Sequence, residues 1–227
     1  MTEQAPPRRS IRSYVLRRGH MTAAQRRGVQ NLWERYGVDL SPLPHWSAVF
    51  GRQAPLLMEI GGGYGEALAA MAAAHPQYNY VSFEVYLPGL GAMLNKLSAA
   101  QLMNARVVRA DVADYLPLLF ADGEVAGVHI FFPDPWPKKR HHKRRLLNAD
   151  FIAALARKIS PGGFVHLTTD WPPYAVAAQT CLSANADFAA ASPSRQAAIG
   201  AMRPDTRFAE KARQAGRQAT DLVFCRR

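Results

Sequence analysis

The sequence contains little cysteine: Cys181 and Cys225 are the only two among its 227 residues. Their separation does not match the short spacings typical of metal-binding cysteines, and one pair does not make the disulfide framework of a small secreted protein. We therefore expect a protein of the reducing cytoplasm that holds no structural metal.

Long hydrophobic runs are also missing. The first 30 residues contain no continuous apolar block of the kind that forms a signal peptide. No segment approaches the roughly 20 apolar residues that a membrane-spanning helix needs. A basic amino terminus is compatible with a transit peptide or an anionic membrane surface, but this one has no bulky apolar stripe. The sequence therefore favours a protein without membrane contact.

Acidic residues are scarce relative to basic ones. The chain has 17 Asp and Glu against 28 Lys and Arg, which gives a formal net charge of +11. Three stretches, residues 8–27, 138–145 and 203–227, hold 20 of the 28 positive charges. The rest of the chain is close to neutral, so the basic segments are additions to an ordinary core. This distribution favours a polyanionic partner such as a nucleic acid.

From residue 55 onward, short apolar runs alternate with helical patterns, which is typical of parallel strands joined by crossover helices. We expect a basic, partly flexible arm over residues 1–30 and a single domain over residues 31–227, with a monomer as the default. Strands are predicted at 55–61, 78–85, 105–111, 125–134 and 163–170 and, from weaker patterns, at 186–192 and 218–227. Helices are predicted after Thr22 and at 65–76, 87–100, 112–120, 144–160 (ending before Pro-Gly-Gly) and 172–184, with a loop over 194–208.

Acidic residues stand where five of these strands end. In an open parallel sheet, the carboxyl ends of the strands form the edge where ligands bind. One such acid is often only a helix cap, but a cluster of carboxylates repels itself unless a positive or donor-rich ligand lies between its members. The five acids are Glu59, Glu84, Asp111, Asp134 and Asp170.

The glycine-rich turn "EIGGGYG" after the first of these strands discriminates among ligands. The dinucleotide pattern G-x-G-x-x-G, counted from Gly61, would need a glycine where Glu66 stands, and the phosphate-loop pattern is absent. Gly61, Gly63 and Gly65 let the backbone approach a ligand, whereas Glu59 would repel a pyrophosphate.

A ligand with a ribose, an adenine and a positive charge fits these residues, namely S-adenosylmethionine. Glu84 follows Gly65 at the distance along the chain expected of a residue that accepts both ribose hydroxyls. Asp111 is expected to accept the adenine amino group.

Five blocks together resemble the tRNA (guanine-N7-)-methyltransferase family: "EIGGGYG", "FEVYLPGLG", "FFPDPWPKKRHHKRR", "TTDWPPYA" and "RPDTRF". The resemblance extends over nearly the whole chain, and the third block is its most specific part. It implies a Rossmann-like class I methyltransferase fold, with a mostly parallel seven-stranded sheet and helices on both faces. It also implies S-adenosylmethionine as the methyl donor and a variable-loop guanine of tRNA as the acceptor.

The resemblance also assigns roles to individual residues. It implies cofactor contacts at Glu59, Glu84, Asp111 and Asp134 beside the glycines, with Asp134 also catalytic. It implies substrate contacts at Lys138, Asp170, Thr206, Arg207 and Phe208. RNA contacts are implied along the basic run, at Arg140, His141, His142, Lys143, Arg144 and Arg145.

The chemistry of guanine N7 agrees with these roles. N7 carries an exposed lone pair at neutral pH, so no strong general base is needed, and the work that remains is positioning and stabilisation of positive charge. We interpret Asp134 as the residue that does both, with Pro133 and Pro135 restricting its backbone. The basic run is expected to bind phosphates, its histidines being donors rather than metal ligands. Trp136 and Trp171 are expected either to stack on bases or to wedge the loops.

The chain departs from the family pattern at one motif. Ala209 stands where Thr-x-Phe is usually followed by Glu, so either Glu210 substitutes through a local shift or the chain lacks one substrate interaction. Two rival functions therefore stay open, a methyltransferase of another RNA site and a catalytically weak RNA-binding protein of the same fold. A nicotinamide dehydrogenase is disfavoured by the glycine spacing.

Overall fold

The computed structural model describes residues 11–15 and 19–227. Within these residues eight strands form one sheet. The strands are β1 (Gly37–Val38), β2 (Leu56–Ile60), β3 (Asn79–Phe83), β4 (Ala105–Val108), β5 (Val125–Phe131), β6 (Ile159–Thr169), β7 (Phe188–Ala190) and β8 (Thr220–Arg226). The helices of the same residues are α1 (Ala23–Tyr36), α2 (Trp46–Phe50), α3 (Glu66–Ala74), α4 (Leu87–Ala99), α5 (Val112–Leu119), α6 (Ala149–Lys158), α7 (Pro172–Ser183), α8 (Pro193–Gly200) and α9 (Arg207–Gln214), with a 3₁₀ helix at Lys139–Arg144.

The strand order is β1-β4-β3-β2-β5-β6-β8-β7, and every neighbouring pair is parallel except the two that involve β8. From β2 the chain proceeds to β3 and β4 on one side, and β5 and β6 continue on the other. The order therefore reverses between β2 and β5, and a crevice opens at the carboxyl ends of strands at such a reversal. The predicted α/β, Rossmann-like architecture is confirmed.

Helices cover both faces of the sheet because the central strands are apolar on both sides. In β2, Met58 packs into one core cluster and Leu57 into the other. The first cluster includes residues of α5, α6 and α7, and the second includes residues of α1, α3 and α4. All five β2 residues are buried, which is the pattern of a strand with helices on both faces.

The sheet has one strand more than the seven predicted. The additional strand, β1, contains two residues and pairs with β4 at the edge of the sheet, Gly37 opposite Val107 and Val38 opposite Val108. A strand of this length leaves no periodic pattern in the sequence, so the sequence does not predict it. All seven predicted strands are present.

Helix α1 crosses the boundary predicted between the arm and the domain. It begins after Thr22, whose side chain accepts a hydrogen bond from the backbone of Gln25 while the Gln25 side chain accepts one from Thr22. It packs against α4 where Gly28 meets Gly91, with no room for a Cβ atom at either position. The helix therefore joins the predicted arm to the body. Part of the predicted flexible arm, residues 1–10 and 16–18, lies outside the described residues.

Two predictions, one of a loop and one of a helix, need correction. The loop expected over 194–208 contains α8 and the start of α9, because Ser192 and Thr206 cap them and Pro193 favours a first helical turn. The helix expected at 144–160 begins at Ala149, capped by Asn148. It ends at Lys158 rather than at the Pro-Gly-Gly sequence, which belongs to β6.

In the described part of the chain, no helix is both long enough and apolar enough to span a bilayer.

Candidate active site

The glycine turn lies between β2 and α3, at the point where the strand order reverses. Gly61, Gly63 and Gly65 all have positive φ angles, 78°, 55° and 74°, which L-residues with a side chain rarely adopt. A Cβ atom at Gly61 or Gly63 would meet nothing within 4 Å. At Gly62 it would clash with Ser82 and Glu59. The turn is therefore packed against the sheet on one side and open on the other.

The backbone N–H groups of Gly61, Gly63 and Gly65 already have partners. Gly61 N–H donates to the carbonyl of Phe83 at 2.8 Å, and Gly65 N–H donates to the carbonyl of Gly62 at 2.8 Å. Gly63 N–H donates to the Glu84 carboxylate at 2.7 Å. A phosphate would find these N–H groups occupied, which agrees with the prediction that the turn does not hold a dinucleotide.

The Glu84 carboxylate is held entirely by backbone groups. One oxygen accepts from Gly63 N–H, and the other accepts from Val85 N–H at 2.7 Å and Tyr86 N–H at 2.8 Å. Burial raises the pKa of Glu84, these hydrogen bonds lower it, and the nearby charge of Asp134 raises it further. An ionised carboxylate has about four acceptor positions, so three bonds leave capacity for a ligand hydroxyl.

Glu59 lies deeper, within β2, and is 3% exposed. It accepts a hydrogen bond from the Ser82 hydroxyl at 2.7 Å. Burial raises the pKa of Glu59 to about 7, and the charge of Glu84 acts in the same direction. Without a cation beside it, this carboxyl group is therefore close to half protonated at neutral pH.

Asp134 stands at the mouth of the site, in the loop after β5. It is exposed, and its charge contributes to the raised pKa of Glu84, so the two carboxylates share one crevice. Pro133 and Pro135 flank it, and Phe132 and Trp136 both have positive φ angles, 50° and 47°. Phe132 N–H is bonded to the carbonyl of Thr168 on β6 at 2.8 Å. The turn thus presents Asp134 from a constrained backbone.

Asp111 borders the crevice at the start of α5. It caps the helix by accepting from Ala113 N–H at 3.2 Å. The guanidinium of Arg12 lies 3.6 Å from Asp111 and 2.9 Å from Asp114. The residue predicted to accept the adenine amino group therefore also contacts an arginine of the amino-terminal segment.

Two residues of the Pro-Asp-Pro loop and the basic run hold this amino-terminal segment in place. Trp136 donates to the carbonyl of Ser13 at 3.0 Å. Arg144 donates to the carbonyls of Arg12 and Tyr14, both at 3.1 Å, and its guanidinium lies 4.1 Å from the Trp136 ring centre. Trp136 therefore wedges loops together, and Arg144 is partly buried against the amino-terminal segment.

The rest of the basic run divides into exposed and buried residues. Arg145 is 6% exposed, donates to the carbonyl of Pro135 at 3.0 Å and lies over the ring of Tyr174. This burial does not fit the RNA contact predicted for Arg145. The sequence could not show it, because charge pattern alone does not separate a buried arginine from an exposed one. His141 is partly buried against Trp136. The exposed members are Lys138, Lys139, Arg140, His142 and Lys143.

Asp170 and Trp171 follow β6 on the far side of the crevice. Asp170 accepts from Arg217 at 2.7 Å, and the Asp170 side chain is partly buried. Trp171 is partly buried against the core cluster that includes α6 and α7 residues. Trp171 therefore packs with the protein, and Asp170 is held by the segment that follows α9.

The predicted substrate segment reaches the same crevice. Thr206 caps α9 by accepting from Ala209 N–H at 3.3 Å. The Arg207 guanidinium lies 2.9 Å from the Glu66 carboxylate, and Phe208 stacks on Phe132 with ring centres 6.4 Å apart. Ala209 is buried.

Glu210, the alternative acid of this motif, is exposed and accepts from Gln214 at 3.1 Å within α9. These contacts do not direct Glu210 towards the glycine turn.

Sequence reasoning missed four residues of the site. Ser82 and Gly62 are ordinary in the sequence, and their roles appear only in the hydrogen bond from Ser82 to Glu59 and in the clash that a Cβ atom at Gly62 would meet. Arg12 is one of seven arginines in a basic stretch, and nothing in the pattern distinguishes it. Glu66 stands out in the sequence only as the residue that breaks a dinucleotide pattern, and its partner lies 141 positions away.

A family model described as a putative methyltransferase matches residues 53–222. The chain is 42% identical to the tRNA (guanine-N(7)-)-methyltransferase of Alkalilimnicola ehrlichii, over 99% of this chain and 96% of that protein. It is 44% identical to the protein of the same name from Thiobacillus denitrificans, over 100% of both. The chain belongs to the tRNA (guanine-N(7)-)-methyltransferase family. The resemblance carried by its motifs is thereby confirmed.

Two solved structures with a similar fold are named as 16S rRNA methyltransferases. The 16S rRNA methyltransferase KamB has a TM-score of 0.59 at 14% identity, over 80% of this chain and 93% of that chain. The 16S rRNA (adenine(1408)-N(1))-methyltransferase of Catenulisporales acidiphilia has a TM-score of 0.52 at 17% identity, over 82% and 89%. At such identities the likeness concerns the fold, and it confirms the class I methyltransferase architecture predicted for this family member.

Among residues 11–15 and 19–227, His, Cys, Asp and Glu side chains nowhere form a group of three that could hold a metal ion. The carboxylates of the crevice are thus grouped with backbone donors and cations rather than in a metal-like cluster.

The raised pKa of Glu59 predicts a pH-dependent stability. Because the folded-state pKa, about 7, lies above the ordinary value of 4.5, ionisation opposes folding, and the contribution of Glu59 to stability falls as pH rises from 4.5 through 7. We expect the free energy of unfolding of wild type minus that of Glu59→Gln to decrease over this range and to level off above it. Urea unfolding at pH 5, 6, 7 and 8 measures the difference, and a difference independent of pH would contradict this role.

Proposed function

We propose that this protein transfers a methyl group from S-adenosylmethionine to N7 of a variable-loop guanine in tRNA. The observation that carries the proposal is the position of Asp134. It lies close enough to Glu84 to raise the pKa of that carboxyl group, and four residues further on begins a run of exposed cations. An acidic crevice and a basic surface therefore meet in one loop. The relatives named above, called tRNA (guanine-N(7)-)-methyltransferases, support the same reaction.

The residues of the crevice fit S-adenosylmethionine. The open side of the glycine turn, where a Cβ atom at Gly61 or Gly63 would meet nothing, leaves room for a ligand. Glu84 retains acceptor capacity for ribose hydroxyls, and we assign to Asp111 the hydrogen bond from the adenine amino group. Buried Glu59 and exposed Asp134 disfavour an anion and favour a cation. When bound, this donor supplies a methyl group on a positively charged sulfur.

The reaction requires little acid–base catalysis by the protein. Guanine N7 attacks with a lone pair that is already available, so no group has to remove a proton first. We assign to Asp134 the positioning of the guanine and the stabilisation of the positive charge that the base acquires. Its exposure at the mouth of the crevice and its constrained backbone suit contact with a base that enters from outside. The guanine must leave its tertiary contacts to reach the donor, as bases generally do in such enzymes.

Binding of the tRNA is assigned to the exposed cations of the loop. Phosphate contacts provide affinity and orientation without sequence information. The exposed side chains are Lys138, Lys139, Arg140, His142 and Lys143. Arg144 supports this surface indirectly by fixing Arg12 and Tyr14. Lys138, Asp170 and Thr206–Phe208 are assigned to the target nucleotide on the basis of the family resemblance of their motifs. A monomer in the cytoplasm stays a prediction from the sequence.

Nucleoside analysis tests the reaction directly. Unmodified tRNA is incubated with the protein and S-adenosylmethionine, digested, and analysed by mass spectrometry. The proposal predicts 7-methylguanosine that maps to the variable loop. A different methylated nucleoside would instead support the rival function, methylation of another RNA site, which the change at Ala209 keeps open. The absence of any product would support the rival of a catalytically weak RNA-binding protein.

Replacement of Asp134 is expected to separate chemistry from binding. Asp134→Ala should lower kcat by about 100-fold or more, because it removes the charge that stabilises the methylated base. The dissociation constant for tRNA should change by less than about threefold, since the phosphate contacts stay. Asp134→Asn keeps the size and one acceptor oxygen and should be intermediate. Single-turnover kinetics and filter binding measure both quantities, and equal losses in rate and affinity would rule out the positioning role.

The exposed cations are expected to account for salt-dependent binding. Lys139→Gln, Arg140→Gln and Lys143→Gln together should weaken tRNA binding by about tenfold or more, because each removes a charge that neutralises a phosphate. The slope of binding against salt should flatten by about one unit for each phosphate that is no longer neutralised. Filter binding over a series of salt concentrations measures the slope.

The matched control replaces three exposed arginines by Gln at the edge where the parallel strands begin: Arg157, which lies just before β6, Arg195, which is bonded to Gly162 of β6, and Arg227, which follows the antiparallel β8. It changes the net charge equally and should leave the salt slope nearly unchanged. If the loop variant kept the wild-type salt slope, the assignment of this surface to the RNA interface would be wrong.

A further inference from the structure

The segment from Arg203 to Phe208 is anchored at two points before it reaches the crevice. At its start, Arg203 forms two hydrogen bonds to Asp221 on β8, at 2.9 and 3.0 Å. Asp221 is also bonded to His166 and Thr168 of β6. Burial raises the pKa of Asp221, but its bonds to His166, Arg203 and Thr168 lower it well below the ordinary value. This end of the segment is therefore fixed to the sheet.

The other anchor is the carboxylate of Glu66, the first residue of α3. One oxygen lies 2.9 Å from Nε of Arg207, and the other accepts the backbone N–H of Arg207 at 2.9 Å. Arg207 is also the first residue of α9, so its N–H has no partner within its own helix. Glu66 thus binds the start of α9 through a backbone group and a side chain at once.

The residues beside Arg207 complete this attachment. Thr206 caps α9, and Phe208 stacks on Phe132, two residues before Asp134. The segment Thr206–Phe208 therefore bridges the two walls of the crevice, the glycine turn on one side and the Pro-Asp-Pro loop on the other. A shift of this bridge would change the opening through which a base reaches the donor.

The ion pair itself contributes little to global stability. The Arg207 side chain is 78% exposed, and exposed ion pairs have small net effects. The glycine turn does not depend on it either, because Glu84 and the carbonyl of Phe83 hold that turn. The geometry therefore gives the Glu66 contact a local effect on one segment.

We propose that Glu66 is a positioning residue that fixes Thr206–Phe208 beside the cofactor turn for entry of the target base. The proposal rests on the proposed function, in which this segment contacts the target nucleotide. The proposal also says which acid holds the segment Thr206–Phe208. Glu66 contacts this segment, whereas Glu210 is bonded to Gln214 on the exposed side of α9.

Substitution of Glu66 is expected to affect tRNA use and to spare the donor. Glu66→Ala should lower kcat/KM for tRNA by about tenfold, because it removes a charge-assisted hydrogen bond. Glu66→Gln keeps an acceptor for the Arg207 N–H and should recover part of that loss. The affinity for S-adenosylmethionine should stay within about twofold of wild type, because the contacts that hold the turn are unchanged.

Matched substitutions at Glu210 provide the control. Glu210→Ala and Glu210→Gln also remove one negative charge, at a position one helical turn after Arg207 in α9, and should behave as wild type. An effect at Glu210 as large as the effect at Glu66 would overturn the proposal, because the loss would then follow from removal of an acidic charge rather than from the contact between Glu66 and Arg207.

Hydrogen exchange tests the anchor without any reaction. The amides of residues 203–210 should exchange faster in Glu66→Ala than in wild type, while Glu210→Ala leaves them protected. Unchanged protection in Glu66→Ala would overturn the proposal even if activity fell. If wild type made no 7-methylguanosine, the proposed function would fail, and exchange would still decide whether Glu66 holds this segment.

Discussion

The site depends on one carboxylate that is bound by backbone. Glu84 accepts hydrogen bonds from Gly63, Val85 and Tyr86, so it fixes the glycine turn to the end of β3 and orients itself by the same contacts. The turn can then keep one side packed on Ser82 and leave the other side open. Because the N–H groups of Gly61, Gly63 and Gly65 all have protein partners, the turn offers a surface to a ligand rather than donors to a phosphate.

A cluster of acids beside a basic loop follows from the same constraint. The charges of Glu84 and Asp134 disfavour each other and, with burial, raise pKa values in the crevice. Repulsion between two carboxylates has to be offset by hydrogen-bond donors or by a cation. Here backbone donors hold Glu84, and a cation is expected between Glu84 and Asp134. The Pro-Asp-Pro turn keeps Asp134 on the acidic side, and the 3₁₀ helix that follows carries the positive charge outward. One short loop can therefore face a cationic donor and a polyanionic substrate at once.

The strands and their terminal acids were predictable because apolar runs, glycines and acids follow one another at fixed spacing along the chain. The features that were not predictable depend on partners far apart in sequence. Glu66 meets Arg207 across 141 positions, and Arg144 binds carbonyls of residues near the amino terminus. Arg145 and Lys143 are alike in a charge pattern, yet one packs on Tyr174 and the other is exposed. Helices α8 and α9 were missed because each has only eight residues, too few to give a clear helical period in the sequence.

Calorimetry of S-adenosylmethionine with wild type and Glu84→Gln is the most direct test of this account. A glutamine side chain has one acceptor oxygen, and its amide group would face a backbone N–H, so the turn could not keep its geometry. The account predicts saturable binding to wild type and binding about 100-fold weaker to a folded Glu84→Gln variant. Equal affinity in the two proteins, or no binding to wild type, would contradict the claim that this carboxylate organises the site.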